Sequence, residues 1–450
     1  MNRGCVTDEQ IRKEIAMLTG REQETAFLGN HYKKAGSQIL VVYGQRGVGK
    51  TALLTAFTEK KERLCYTAEN CSVREQQYLW GQELRSRGRE LPVYPSWREL
   101  LECLTVRENG AAVTKRVLLI ENFQYLCKED VSFLQELIRF LKESREELLV
   151  ILTTYASGWV ENSMISKVGN LAFSISGFLK VKELPFSAMR RIFSGYTVQE
   201  SIALYAALGG LPGLWRLLDP EASAEENLIR IFLQKNSFLP ELMIRWQSEE
   251  LRETAVYDTI LATLAEEGRG KLNDMYAHTG FSRAKISVYL KNLMELELVE
   301  KVLPGTYEIS NAFVRFYFRY LFPHRTFLQA EDGKAFYEKY VRDDYNAFQL
   351  AAYRRICQEM LQGRFRTISL WNSRQGEIYF LCSEESGRKM VVDYSGTVCY
   401  TSEDYDVLQK AMKREHVTAD GILVFGEAGY EKTLTEGTVQ IQFYSVDEEL

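Results

Sequence analysis

The chain has 450 residues, a formal net charge of −5 and 46% hydrophobic residues; at roughly 150 residues per domain this length predicts about three domains. So many core-forming residues exclude a disordered chain, and the near-neutral balance excludes a broad polybasic surface, so any nucleic-acid contact must be local. No apolar run approaches the ~20 residues that span a bilayer, so no membrane association is expected. Residues 1–37 read as polar and helical, with no apolar stretch after Arg3 and hence no secretion signal. Gln38–Tyr43 is a short apolar run stopped by a glycine-rich turn, the pattern of a buried parallel strand. Lys50–Lys60 follows as a helix. Strand-like runs recur at Leu64–Thr67, Arg116–Ile120 and Leu148–Thr153 with helical stretches between them, which predicts an α/β domain with a parallel sheet. From Ser187 to about Arg252 the pattern is all helical. Three helices and a hairpin follow to Ile309, and after Tyr340 one more helix leads into β-rich sequence. The eight cysteines contain no C-x-x-C, and neither they nor the four histidines show zinc spacing. That usage fits a reducing, cytoplasmic setting without disulfides or structural zinc, with Cys65 expected to be a small buried hydrophobe.

The sharpest chemical signal is Gly44-Gln45-Arg46-Gly47-Val48-Gly49-Lys50-Thr51, with Ala52 continuing the helix. It fits G-x-x-x-x-G-K-[ST], directly after a strand and opening a helix. Glycines permit a turn whose backbone N–H groups form an anion nest. The helix start points its positive end at phosphates. Lys50 is expected to reach the β- and γ-phosphates and Thr51 to ligate Mg²⁺. The partner of such a loop is an apolar strand ending in an acid that holds Mg²⁺ through water, and Val117–Glu121 fits. Its next residue is Asn122, which cannot take a proton. Losing a general base costs ~10²–10⁴ in rate, so nucleotide binding is expected with slow or absent hydrolysis. A further polar strand end, Thr153-Thr154, either senses the γ-phosphate or caps the next turn.

These segments resemble the archaeal-type P-loop ATPase family of the AAA+/STAND group. Leu18–Glu22 is similar to its Gly-Arg-Glu motif, which implies that Arg21 lies near the adenine. Ile120–Leu126 is similar to its second nucleotide motif, with Glu121-Asn122 where Asp-Glu is usual. Gly209–Leu214 is similar to the Gly-Gly-x-Pro element of its helical lid, which implies that Pro212 approaches the base. Three departures, at Glu121-Asn122, at Thr153-Thr154 and in the missing arginine near Ile175–Phe178, bear on hydrolysis or γ-phosphate sensing rather than on phosphate binding.

Tyr257–Ala265, Leu272–Thr279 and Ser282–Glu295, with a hairpin around Pro304-Gly305, read as a winged helix-turn-helix. Ile286, Leu290 and Leu293 should face the core. Arg283, Ser287 and Lys291 share another face, with Lys285 nearby, and that face suits a major groove. Residues 270–302 hold five basic and four acidic side chains, which leaves a protein-facing module as the alternative. The aromatic segment Asn311–Tyr320 is expected to be a helix packing the wing rather than a base-stacking platform. The last part, by Gly376–Ile378, Met390–Asp393 and Val424–Tyr430, resembles the family's appended domain, which is similar to PD-(D/E)xK nucleases. Tyr379 stands where that pattern has Asp, and Asp393-Tyr394-Ser395 stands where it has Glu-x-Lys. Lys389 lies on the wrong side of the strand end. Nuclease activity is therefore not expected, and a protein partner or structural role is.

The expected architecture is an α/β P-loop NTPase core (1–184) with a helical lid (185–250), a winged helix (251–325) and a small α/β, restriction-endonuclease-like C-terminal domain (326–450). The expected function is an ATP- and Mg²⁺-binding cytosolic switch with at most weak ATPase activity. The alternative is an ATP-regulated protein acting on double-stranded DNA through Arg283, Lys285 and Lys291, or a nuclease in defence or mobile-element biology.

Overall fold

The computed structural model describes residues 19–104, 115–235, 237, 239, 253–373, 376–432, 434 and 441–446. The chain divides into two compact units, Met1–Glu183 and Leu184–Leu450. Among the described residues no helix is long and apolar enough to cross a membrane.

In the first unit, helix α1 (Glu22–Lys33) precedes strand β1 (Gln38–Tyr43), and helix α2 (Lys50–Thr58) follows the glycine loop. Then come β2 (Arg63–Thr67), α3 (Val73–Ser86), α4 (Trp97–Cys103), β3 (Arg116–Glu121), α5 (Ser132–Glu143), β4 (Leu148–Thr154) and β5 (Gly177–Lys180). The strands form one parallel sheet in the order β2-β3-β4-β1-β5. The central strands β1, β3 and β4 are buried almost throughout, because helices cover both faces and their middle residues are apolar, with polar residues only at the strand ends. On one face Ile39, Val41, Leu118, Ile120, Val150 and Leu152 pack with Trp80 of α3, Trp97 of α4 and Phe133 of α5. The order brings β4 between β1 and β3, so three strand ends meet beside the glycine loop. Such carboxyl ends are where open α/β sheets hold ligands.

The edge position of β2 overturns one expectation. Cys65 is exposed, because alternate residues of this edge strand point to a side without cover, while Leu64 and Tyr66 on the other side pack on the core, Tyr66 stacked on Trp80 at 4.3 Å.

The second unit begins with α6 (Phe186–Ile192), α7 (Val198–Leu208), a helical turn at Pro212–Trp215 and α8 (Ala224–Leu228). The turn before Pro212 is fixed by Gly209, whose φ is 60° and whose carbonyl accepts the Trp215 indole N–H at 2.7 Å. Next come α9 (Thr254–Glu267), β6 (Gly270–Lys271), α10 (Leu272–Thr279), α11 (Arg283–Glu295), β7 (Val299–Leu303) and β8 (Thr306–Ile309). The three short strands form an antiparallel sheet in the order β6-β8-β7. Gly280, with φ 69°, separates α10 from α11, and the Ser282 hydroxyl accepts from Lys285 N at 3.3 Å as the cap of α11. Ile286, Leu290 and Leu293 are buried as their spacing predicts, while Arg283, Ser287 and Lys291 are exposed.

The aromatic segment is a buried core element and not an open platform. It contains α12 (Ala312–Phe316), capped by Asn311, and a continuing turn to Leu321. Its Phe316 ring meets Phe232, Tyr345 and Phe348, and Arg315 donates to the Ala206 carbonyl of α7 at 3.2 Å. Two further helices, α13 (Gly333–Tyr340) and α14 (Arg342–Leu361), lead to β9 (Thr367–Asn372), β10 (Ile378–Ser383), β11 (Lys389–Gly396), α15 (Ser402–Arg414), β12 (Gly421–Gly426) and β13 (Ile441–Tyr444). Their sheet has the order β13-β12-β11-β10-β9, with β9, β10 and β11 antiparallel and β11, β12 and β13 parallel. Helix α15 is the crossover between the parallel neighbours β11 and β12.

Candidate functional site

The glycine loop is shaped by contacts that exclude side chains. A Cβ on Gly44 would lie 2.1 Å from the Val181 carbonyl oxygen, so only glycine fits beneath the segment after β5. Val181 N in turn donates to the Tyr43 carbonyl at 2.7 Å. Gly47 and Gly49 have φ of 85° and 92°, the left-handed conformation that turns successive N–H groups into an anion nest. Val48 is fully buried and anchors the loop, and α2 starts at Lys50 with Ala52 in its first turn.

The charged groups predicted for this loop are present and engaged. The Lys50 ammonium donates to the Gly44 and Gln45 carbonyls at 2.7 and 3.0 Å, so it folds across the loop. Gln45 donates to Glu183 at 2.8 Å. Arg21 is buried and braces the loop from behind: its guanidinium donates to the Val48 carbonyl at 2.7 Å and the Lys182 carbonyl at 2.8 Å, and pairs with Glu24 at 2.8 Å. It thus ties the loop backbone to the segment after β5 and to α1.

The end of β3 completes the cluster. One Glu121 oxygen accepts from the Thr51 hydroxyl at 3.4 Å and the other from Thr67 at 3.1 Å. A hydroxyl and a carboxylate side by side are hard oxygen donors of the kind Mg²⁺ takes, with waters completing its shell. Asn122 has φ 55°, and its side-chain amide donates to the Ala68 carbonyl at 3.5 Å. Asn tolerates this left-handed conformation better than most residues. Phe123 N donates to the Thr153 carbonyl at 3.0 Å and so ties this bend to β4. Of the two threonines ending β4, Thr154 takes the capping role, its hydroxyl accepting from Ala156 N at 3.0 Å. Thr153 is buried in the strand.

Several participants carry no motif signal. Thr67 is recognisable only from the register that sets it opposite Glu121. Tyr155 and Tyr125 share a hydrogen bond of 2.5 Å between their hydroxyls, and the Arg46 guanidinium lies 4.0 Å from the centre of the Tyr155 ring. Pro212 belongs to the second unit, where it is buried in its helical turn.

The second unit holds the other candidates. On α11, Arg283 donates to Asn273 at 2.7 Å and lies over the Tyr276 ring at 4.2 Å, and Lys285 lies over the Phe281 ring at 4.9 Å. Asp393 on β11 is buried, accepting from the Tyr400 hydroxyl at 2.8 Å and from Tyr394 N at 2.8 Å. Burial pushes its carboxyl up to about 7, against the lowering by these two hydrogen bonds. Tyr379 is buried against Trp371 at 4.8 Å. Glu377 accepts from the Ser373 hydroxyl, and Lys389 is exposed at the start of β11, four residues before Asp393.

Residues 33–156 match the family model described as an AAA domain. An uncharacterized protein of Methanocaldococcus jannaschii, MJECL04, is 25% identical over 403 residues, covering 83% of this chain and 86% of that one. Among solved structures, the Walker-type ATPase PABY2304 of Pyrococcus abyssi superposes with a TM-score of 0.50 at 19% identity, over 71% of this chain and 99% of that one. The ORC2 protein of Aeropyrum pernix in ADPNP and ADP complexes gives a TM-score of 0.44 at 13% identity, over 69% of this chain and 94% of that one. The strand order, the glycine loop after β1, the domain match and the Pyrococcus neighbour give the N-terminal unit the parallel-sheet α/β fold of a P-loop NTPase.

Proposed function

We propose that the protein is an ATP-binding switch of the cytosol with slow or absent hydrolysis. One observation carries the reading: a complete phosphate loop stands beside a strand end, Glu121-Asn122, that has a metal-holding carboxylate but no second carboxylate to accept a proton. Gly44–Thr51 would grip the phosphates through backbone N–H groups and Lys50, whose ammonium leaves the loop carbonyls to do so. Thr51 and Glu121 would hold Mg²⁺, whose charge offsets that of the phosphates. Asn122 can orient a water by hydrogen bonding but cannot deprotonate it. Arg21 acts through the loop backbone that it braces.

On this reading the second unit is the responding part. Three helices with the β6-β8-β7 sheet are read as a winged helix, and the β9–β13 sheet with α15 as a nuclease-like fold without nuclease activity. Asp393 supports the latter: it is buried and hydrogen-bonded to Tyr400, a poor setting for a metal-bound water. A nucleotide shifts such a switch only by its differential affinity for two arrangements. Calorimetry of the full chain with ATP and ADP, with Lys50→Ala beside it, tests the nucleotide reading. Absence of binding, or equal binding by the variant, would sink it.

A second reading, ATP-tuned binding of double-stranded DNA, is favoured by one observation: Arg283, Ser287 and Lys291 are exposed opposite the buried face of α11. Duplex binding that weakens with salt, and is lost in Arg283→Ala with Lys291→Ala, would support it.

A further inference from the structure

The phosphate loop carries one long cation that its motif does not require. Arg46 lies between Gly44 and Gly47, and its guanidinium rests 4.0 Å from the centre of the Tyr155 ring. Tyr155 follows directly on β4, and its hydroxyl is 2.5 Å from that of Tyr125, which follows Glu121-Asn122 at the end of β3. One arginine and two tyrosines therefore connect the loop to both strand ends. Arginine stacks on aromatic faces with its flat face, while its donors lie in the plane and suit paired phosphate oxygens. A hydrogen bond from a fully charged guanidinium to phosphate is stronger than a stack on a ring.

Resting on the nucleotide reading above, we infer that Arg46 distinguishes nucleoside triphosphate from diphosphate, and that Tyr155, fixed by Tyr125, is the positioning residue that holds it ready. The side matters. The Tyr155 ring draws Arg46 toward the ends of β4 and β3, the strand ends that carry Thr153, Glu121 and Asn122. An arginine there adds affinity only for a ligand long enough to extend past Lys50 to that side.

The test is calorimetric binding of Mg²⁺–AMP-PNP and Mg²⁺–ADP to the full chain, its readout being affinity rather than turnover. Arg46→Ala should weaken the triphosphate analogue by about tenfold or more, ~1.4 kcal/mol, and change ADP affinity by less than about threefold. Arg46→Lys, which keeps charge without the planar fork, should recover only part of the loss. Tyr155→Phe keeps the ring but loses the bond to Tyr125, so it should change the ratio of the two affinities less than Tyr155→Leu, which also removes the stacking face. Equal losses for both nucleotides in Arg46→Ala and Arg46→Lys, or no loss in either, would overturn the inference while leaving nucleotide binding intact. Failure of the wild type to bind either nucleotide would instead remove the reading on which it rests.

Discussion

The hydroxyl of Thr51 and a carboxylate oxygen of Glu121 lie 3.4 Å apart, at the start of α2 and the end of β3. The parallel sheet creates this meeting, since β4 places β3 within reach of the loop that follows β1. Neither side chain has a packing task there: Thr51 is exposed and Glu121 half-buried. Their shared property is a set of oxygen donors facing the same spot.

Removing either donor should therefore act through the metal. Glu121→Gln keeps the shape and the Thr67 contact but loses the charge. Groups that support a bound metal through water or hydrogen bonds are worth about 10–100-fold in metal affinity. We expect Glu121→Gln and Thr51→Ala to weaken nucleotide binding by about that factor in Mg²⁺ and by much less in EDTA. Equal losses in both media would mean that the pair does not handle a metal.

Much of this site could be read from residue order, and the reasons are physical. A glycine-rich turn between an apolar strand and a helix has few folded solutions, so Gly44–Thr51 announced itself. The runs Gln38–Tyr43 and Leu148–Thr153 became strands with nearly the expected bounds, the second extending to Thr154, because burial on both faces demands largely apolar sequence. The register of Thr67 opposite Glu121, the 2.1 Å approach of Val181 O to a Cβ on Gly44 and the Tyr125–Tyr155 contact all arise from tertiary packing between distant segments. No local pattern encodes them. Cys65 shows the same limit from the other side: its apolar neighbours suggested burial, but strand order put β2 at the edge.

Asn122 now has two properties to separate, its missing acidity and its left-handed backbone with φ 55°. A side chain other than Asn, Asp or Gly costs roughly 1–2 kcal/mol in that conformation. Asn122→Glu should thus melt about 2–8 °C lower than wild type, as should Asn122→Ala, while Asn122→Gly should melt close to wild type. Hydrolysis separates the variants differently. If the site lacks only its base, Asn122→Glu should gain ~10²-fold in rate and Asn122→Ala and Asn122→Gly nothing. A gain in all three would point to loop freedom, and a gain in none would mean that more than the base is missing.

In the second unit, the strand β8 is fastened to helix α14 by a buried ion pair. Glu308 and Arg354 are 3% and 5% exposed and bonded to each other, with Arg355 at 3.3 Å from the same carboxylate. Burial pushes the Glu308 carboxyl up, but the guanidinium groups of Arg354, Arg355 and Arg315 outweigh it and hold the group below the usual carboxylate range. Neutralising the acid alone strands buried arginines, so Glu308→Gln should destabilise the second unit by about 3–5 kcal/mol. The double replacement Glu308→Leu with Arg354→Leu should cost clearly less than the single one. Chemical denaturation of the three proteins reads this directly, and a double variant worse than the single one would contradict it.

Asp393 should give the second unit a pH dependence of opposite sign. Its carboxyl is raised from 3.8 to about 7 by burial, so the folded chain holds a proton that the unfolded chain releases. Stability from this group is complete below the unfolded value near 4 and is lost as pH rises through about 7, at no more than ~1.4 kcal/mol per pH unit. Between pH 5 and pH 8 the wild type should lose about 2–3 kcal/mol that Asp393→Asn retains. Tyr400→Phe removes a donor that favours the charged form, so the wild-type loss should persist and shift to higher pH. Glu308 cannot imitate this behaviour: a depressed acid loses its contribution as pH falls, at the acid end of the range. Urea unfolding of wild type, Asp393→Asn and Tyr400→Phe at pH 5, 6, 7 and 8 tests the assignment. Parallel profiles for wild type and Asp393→Asn would show that the group is already charged in the folded protein and that Tyr400 carries the burden of burying it.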